Sequence, residues 1–339
     1  MKITVIWAWS WWLALSDVLA FNGNEVLVYA RNLAAKREIN TIHTSLKYLH
    51  GAKINKSIKA TSSLKEALDF SNYILLAVPS SAIIDCLKEI KEIYPSNNYF
   101  FINAIKWLNL QTKKTMQQII KEFFPIHKWL VSLLWPSFAS EVVAKDITCI
   151  SSVSGNEREA LFVQALFSNN YFRVYTQTDV IWAEFYSSMK NAVAIASWIV
   201  SWLGFWENSR ASLIMRWLKE MAIIWHAMWA KNETFLGATW LWDLILTCSS
   251  SESRNFQAGY IIWKDDSAKK FLKNNKTTVE WLTTIAVIED IAKEHNLELP
   301  ILHSLYLIVY KNETPSEMLK EIMKRPLTNE NHFINWLFQ

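Results

Sequence analysis

The stretch Lys2-Ile-Thr-Val-Ile6-Trp7-Ala-Trp9-Ser10-Trp11-Trp12-Leu-Ala-Leu15 decides the fold. Lys2 to Ile6 is a short β-rich run, and beyond Trp12 apolar residues recur at helical spacing through Leu13, Leu15, Val18 and Leu19. A strand, a tight turn and a helix form the setting of the dinucleotide-binding fingerprint Gly-x-Gly-x-x-Gly. Here tryptophan stands at all three glycine positions: Trp7, Trp9 and Trp12. Each position has a physical need for glycine. The first allows the tight turn, the second lets backbone approach a pyrophosphate, and the third lets the helix pack on the strand.

Composition supplies an independent reason to question those tryptophans. The chain of 339 residues holds 6 glycines and 19 tryptophans. Average glycine usage near 7% corresponds to about 24 glycines in such a chain, which is close to what the two residue types supply together. A single codon written as tryptophan here and inserted as glycine by the organism accounts for both anomalies. UGA fits, being a stop in the standard code, tryptophan in one variant code and glycine in another. The turn then reads I-G-A-G-S-W-G-L-A-L, with the fingerprint in register. On the competing reading the tryptophans are literal and pack on the strand. Indoles at positions 7 and 9 then fill the space of the pyrophosphate, and no dinucleotide binds.

The length allows about two domains of ordinary size. A hydrophobic fraction of 51% is enough for large cores, and a formal charge of +4 is too small and too evenly spread to indicate nucleic acid or a membrane surface. Cys86, Cys149 and Cys248 are odd in number and far apart, so they are expected to be reduced thiols, mostly buried, in a cytoplasmic protein. No histidine pair has metal-ligand spacing, and no metal is expected. The apolar run Asn191 to Phe205 is shorter than the ~20 residues of a spanning helix and reads as a buried core helix.

Further strands are predicted at Glu25 to Tyr29, Tyr73 to Val78, Tyr99 to Asn103, Leu130 to Leu134, Ile147 to Ser152 and Tyr171 to Tyr175. Helical stretches such as Ser63 to Phe70 and Leu110 to Phe124 lie between them. Strands alternating with helices imply a parallel α/β sheet. From about Asp179 the texture changes to long apolar-periodic segments: Ile181 to Leu203, Ser209 to Trp229 and Val279 to Leu297. The expected fold is therefore a Rossmann-like doubly wound sheet over residues 1–178, binding a dinucleotide. An all-α substrate domain is expected over 179–339.

An NAD-specific site usually has an acid near the end of the second strand for the ribose 2′-hydroxyl. Here the strand ends Tyr29-Ala-Arg31-Asn. Arg31 suits a 2′-phosphate, so NADP is at least tolerated; an ordinary surface charge is the other reading.

With the substitution made, the chain resembles the bacterial-type NAD(P)-dependent glycerol-3-phosphate dehydrogenases along nearly its whole length. The turn with Ser10-Trp11 is similar to the family's G-A-G-S-W-G, which marks Trp11 as a true tryptophan. Asn103-Ala-Ile-Lys106-Trp107 resembles its lysine-glycine loop, and Trp135-Pro-Ser137-Phe-Ala139 its G-P-S-F-A segment. Ser188-Met-Lys190-Asn-Ala-Val resembles A-L-K-N-V, and Trp240-Leu-Trp-Asp243-Leu-Ile-Leu-Thr-Cys248 resembles G-L-G-D-L-x-L-T-C. Ser253-Arg254-Asn255 and Val279-Glu280-Trp281 resemble S-R-N and V-E-G. Phe185-Tyr-Ser-Ser188 and His50 depart from the family's Leu-Gly-Gly-Ala and proline, and Trp129 and Trp336 lie outside the motifs.

Oxidising a secondary alcohol requires a hydride acceptor, a group for the hydroxyl proton, and cations for a phosphate tail. Lys190, in an apolar helix flanked by Ser187, Ser188 and Asn191, suits the proton, and the resemblance implies the same role. Lys106 suits the substrate's oxygen or phosphate. Asp243 would orient Lys190 or a glycerol hydroxyl, or else cap the following helix. Arg254 and Asn255 offer a planar fork and an amide to phosphate, and Ser137 and Ser253 are further phosphate donors. The resemblance adds Trp135 to the substrate site. It also places Trp7, Trp9, Ser10, Trp11, Trp12, Arg31, Lys106, Ala139, Arg254 and Glu280 at an NAD or NADP site.

The implied activity interconverts sn-glycerol 3-phosphate and dihydroxyacetone phosphate, supplying phospholipid synthesis. The expected enzyme is a cytoplasmic homodimer whose partner is a small phosphorylated molecule, with no nucleic acid and no membrane span. Two alternatives stand beside it: another two-domain hydroxy-acid dehydrogenase, and a non-catalytic scaffold with literal tryptophans.

Overall fold

A computed structural model describes residues 1–7, 10–95, 98–105, 114–134, 138–202, 207–227, 244, 248, 254–274 and 280–326. Its centre is an eight-stranded sheet in the order β3-β2-β1-β4-β5-β6-β7-β8. The strands are β1 (Lys2–Ile6), β2 (Glu25–Tyr29), β3 (Lys59–Thr61), β4 (Tyr73–Leu76), β5 (Phe100–Asn103), β6 (Trp129–Leu134), β7 (Thr148–Val153) and β8 (Phe172–Gln177). All seven expected strands are present. The additional strand, β3, has three residues at the sheet edge and is too short to give a period in the sequence.

β1 lies between β2 and β4 and runs parallel to both. Alternate residues of these strands enter two separate cores. Ile3, Val5, Val28, Leu75 and Ile102 line one face, while Ile6, Tyr29, Ile74, Leu76 and Phe101 line the other. Burial on both faces explains the nearly continuous apolar runs of the strands. Thr4 is the polar exception among the buried residues of β1, and its hydroxyl donates to the carbonyl of Ala67 at 2.6 Å.

The sheet is not wholly parallel, because β7 runs antiparallel to β6. The helix between them, α7 (Ala139–Val143), has only five residues. At 1.5 Å per residue such a helix covers about 7.5 Å, whereas returning along a six-residue strand needs about 20 Å. The chain therefore enters β7 from the opposite end. The eleven-residue helix α8 (Glu157–Phe167) is long enough for a crossover, and β7 and β8 are parallel.

Helix α6 spans Met116–Phe123, later than the expected start at Leu110. Thr115 caps it through a reciprocal box with Gln118, which fixes its first turn. Residues 110–113 lie outside the described positions.

Beyond the sheet come α9 (Val180–Trp202), α10 (Glu207–Ala227) and helices at Arg254–Lys264, Lys269–Asn274, Glu280–Glu294, Pro300–Tyr306 and Pro315–Met323. The chain divides into two compact units, Met1–Ser187 and Ser188–Gln339. The division falls inside α9. Val180 and Ala183 pack against Leu134 of β6 and Val153 of β7, so the first turns of α9 lie against the sheet.

Cys86 and Cys248 are buried, and among the described residues none of the three cysteines forms a disulfide. Among the described residues no helix is long and apolar enough to cross a membrane, and no cluster of His, Cys, Asp or Glu is arranged to hold a metal.

Candidate active site

The turn after β1 has a backbone unlike that of any other described residue that is not glycine. Trp7 has φ +93°, whereas the other positive-φ residues that are not glycine lie between +40° and +63°, near the ordinary left-handed region. A bulky L-residue is disfavoured there, and glycine is not. The N–H of Trp7 donates to the carbonyl of Tyr29 at 3.1 Å, tying the turn to the end of β2. The position required to be glycine by the fingerprint thus has a glycine backbone.

Helix α1 (Ser10–Phe21) begins three residues later with no acidic side chain in its first turn. The positive end of its dipole at Ser10 therefore favours an anion. Trp11 is buried and Trp12 half-buried, both against the core that holds Ile3 and Val5, while Trp7 packs against the core on the opposite face. Trp9 lies outside the described residues.

Arg31 follows β2, and its guanidinium carbon lies 4.7 Å from the centre of the Trp7 ring. Its Nη2 also donates to both carboxylate oxygens of Glu89, on α5 (Ile83–Ile93), at 2.5 and 2.6 Å. Glu89 raises the pKa of Arg31 further, which leaves the guanidinium charged throughout the working range. The positive φ at Trp7 and the helix start at Ser10 suit a dinucleotide-binding turn, and the indole of Trp7 lies against Arg31.

A second polar centre lies at the C-terminal end of β5. Glu184, in the second turn of α9, is 3% exposed. Its carboxyl accepts hydrogen bonds from Asn103 Nδ2 at 3.1 Å, from the Ser132 hydroxyl and from the backbone N–H of Gln117 at 3.3 Å. Ser132 in turn accepts from Asn103 Nδ2 at 3.0 Å and from Gln117 Nε2 at 3.1 Å. Burial raises the pKa of Glu184 above the ordinary glutamate value, partly countered by the donors of Ser132, Gln117, Thr115 and Asn103. Sequence reasoning missed this cluster. Its signal was available: Glu184 is an acid in an apolar helix, the same oddity that singles out Lys190.

Of the other expected site residues, Ala139 opens α7 and is half-buried. Lys190 lies on α9, Arg254 and Asn255 begin the helix Arg254–Lys264, and Glu280 begins the helix Glu280–Glu294. Lys106, Trp135, Ser137, Asp243 and Ser253 lie outside the described residues.

Both halves of this arrangement match one family. Residues 2–160 match the NAD-dependent glycerol-3-phosphate dehydrogenase N-terminus, and residues 179–320 match the C-terminus of the same enzymes. The chain belongs to the NAD-dependent glycerol-3-phosphate dehydrogenase family. It is 36% identical to a glycerol-3-phosphate dehydrogenase [NAD(P)+] of Enterococcus faecalis, over 98% of each chain. It is 35% identical to the Staphylococcus aureus enzyme of that name, over 97% of this chain and 99% of the other. The crystal structure of glycerol-3-phosphate dehydrogenase from Coxiella burnetii superposes with a TM-score of 0.84 at 27% identity, covering 96% of this chain and 99% of that one. Membership accounts for the order of the elements: the dehydrogenase family's N-terminal part spans the sheet through β7, and its C-terminal part begins where α9 does.

Proposed function

We propose that this dehydrogenase interconverts sn-glycerol 3-phosphate and dihydroxyacetone phosphate with NAD or NADP, and that glycine is the native residue at Trp7, Trp9 and Trp12. The match of both halves to glycerol-3-phosphate dehydrogenases carries the activity. The backbone at position 7 supports glycine, since its φ of +93° is one that tryptophan rarely adopts.

The turn after β1 and the N-terminus of α1 would hold the cofactor diphosphate, with Ser10 and Trp11 beside it and Arg31 at the adenosine ribose. Ala139, Arg254 and Glu280 complete this assignment. When bound, the nicotinamide ring supplies the hydride acceptor for alcohol oxidation and the donor for ketone reduction. Lys190 takes the hydroxyl proton during oxidation and returns it during reduction, so its amine must be neutral at the start of oxidation. Lys106 holds the substrate oxygen or phosphate, and Asp243 orients Lys190 or a glycerol hydroxyl. The phosphate falls to Arg254 and Asn255, with Ser137, Ser253 and the backbone at Trp135. The enzyme works as a homodimer in the cytoplasm.

Oxidation of NADH and NADPH by purified, natively produced protein tests the activity with dihydroxyacetone phosphate against keto acids and other hydroxyketones. Selective turnover of dihydroxyacetone phosphate is the expected result, and turnover of only another substrate overturns the assignment. Intact mass of the same protein tests the glycines. A mass below that of the literal chain is expected, and an unshifted mass removes the recoding.

A further inference from the structure

We propose that Glu184 is a positioning residue for the reaction. Its buried carboxyl ties the strand end that leads to Lys106 to the helix that runs on to Lys190. The proposal rests on the roles assigned above to these two lysines.

The links are direct on the side of Lys106. Asn103 is the last residue of β5, and its Nδ2 donates to Glu184 while its Oδ1 accepts from the backbone N–H of Ile105 at 3.1 Å. The side chain that meets Glu184 therefore also fixes the backbone one residue before Lys106. On the other side, Glu184 and Lys190 belong to one continuous helix, α9. Six residues at 1.5 Å each separate them by roughly 9 Å along its axis. The shared helix is the route by which a shift of its first turns is expected to reach Lys190. Ser132 on β6 and Gln117 on α6 close the cluster, and Gln117 Nε2 reaches on to the Val153 carbonyl of β7 at 3.2 Å. Four elements of the sheet unit are thus registered on one side chain.

The hydrogen-bond directions explain why the residue is glutamate. Asn103 and Ser132 donate to Oε1, and the backbone N–H of Gln117 donates to Oε2. The Ser132 oxygen already accepts from Asn103 and Gln117, so its proton is committed to Glu184. A carboxylate satisfies donors on both oxygens, because it only accepts. Glutamine fits the volume but must turn an N–H₂ toward one set of donors. An apolar residue leaves the Ser132 hydroxyl and the backbone N–H of Gln117 buried without this acceptor.

The test uses the full-length enzyme with glycine at the motif tryptophans, in which Glu184→Gln, Glu184→Asp and Ser132→Ala are compared. Misplacement of reacting groups by about 1 Å can cost on the order of a hundred-fold in rate. Glu184→Gln is therefore expected to lower kcat ten- to hundred-fold with the cofactor KM little changed, and Glu184→Asp to restore part of the loss. The reactivity of Lys190 toward acetic anhydride, mapped by peptide mass spectrometry, should change in Glu184→Gln without cofactor. Unchanged kcat and unchanged Lys190 reactivity in a folded Glu184→Gln variant overturn the proposal. If that variant does not fold, Ser132→Ala decides: a reduced kcat at unchanged cofactor KM supports positioning, and an unchanged kcat overturns it. Lys190→Ala separates the underlying assignment, because activity surviving in that variant refutes the role of Lys190 whatever Glu184 does.

Discussion

Arg31 lies over the ring of Trp7, with 4.7 Å between the guanidinium carbon and the ring centre. The contact joins the turn after β1 to the tip of β2, the two places that a dinucleotide's diphosphate and adenosine ribose occupy in this fold. With an indole at position 7, the guanidinium is stacked on protein. With glycine there, that face of the guanidinium loses its ring.

Trp7→Gly and Trp7→Ala should differ in a direction opposite to the usual ranking. Glycine ordinarily loses about 0.5–1 kcal/mol to alanine in regular structure, but residues held at unfavourable φ cost about 1–3 kcal/mol. At φ +93° the Trp7→Gly chain is expected to be the more stable by about 1 kcal/mol in urea unfolding. Greater stability of Trp7→Ala would show that the turn relaxes to an ordinary backbone.

Glu89 engages Arg31 through both carboxylate oxygens, which places an acid beside the tip of β2 although the C-terminal end of the strand has none. Glu89→Gln should free Arg31 for a 2′-phosphate and raise the NADP-to-NAD ratio of kcat/KM several-fold. Arg31→Ala should lower it. Both side chains are more than 40% exposed, so stability should change by less than about 1 kcal/mol. Equal ratios in all three proteins would remove Arg31 from the cofactor site.

Glu220 on α10 makes stability depend on pH. Burial raises its pKa to about 8, against the N–H groups of Ile301 and Leu302, which donate at 2.6 and 3.1 Å. The folded chain retains a proton that the unfolded chain releases near pH 4.5. Its contribution is therefore complete below that pH and is lost as pH rises toward 8, on the order of a few kcal/mol in all. Thermal melts between pH 5 and 8 should fall more steeply for the parent than for Glu220→Gln. Parallel curves would contradict this.

Gly259 and Trp198 mark a close helix crossing in the second unit. A Cβ at Gly259 would stand 2.6 Å from the Cβ of Trp198 and 3.1 Å from the carbonyl oxygen of Ile195. Gly259→Ala should cost about 1–3 kcal/mol by overpacking, and Trp198→Gly should relieve part of that cost. A double-mutant cycle measures the coupling, and strict additivity would show that the two helices separate freely.

The sequence determined the sheet class and the position of the fingerprint, because strand burial and helix periodicity are local patterns written in consecutive residues. The glycine deficit and the tryptophan surplus were also readable without coordinates, as was the family, since its motifs fall in order along the chain. Tertiary structure decided what depends on residues far apart. The antiparallel β7 follows from a connecting helix too short to cross back, and the unit boundary inside α9 from Val180 and Ala183 packing on β6 and β7. Glu184 meets Asn103, Ser132 and Gln117 only once four elements have packed. Likewise, Glu89 becomes the partner of Arg31 only through the placement of α5 beside β2. Hydrogen bonds and ion pairs act over about 3 Å, so their partners are set by packing and not by spacing along the chain.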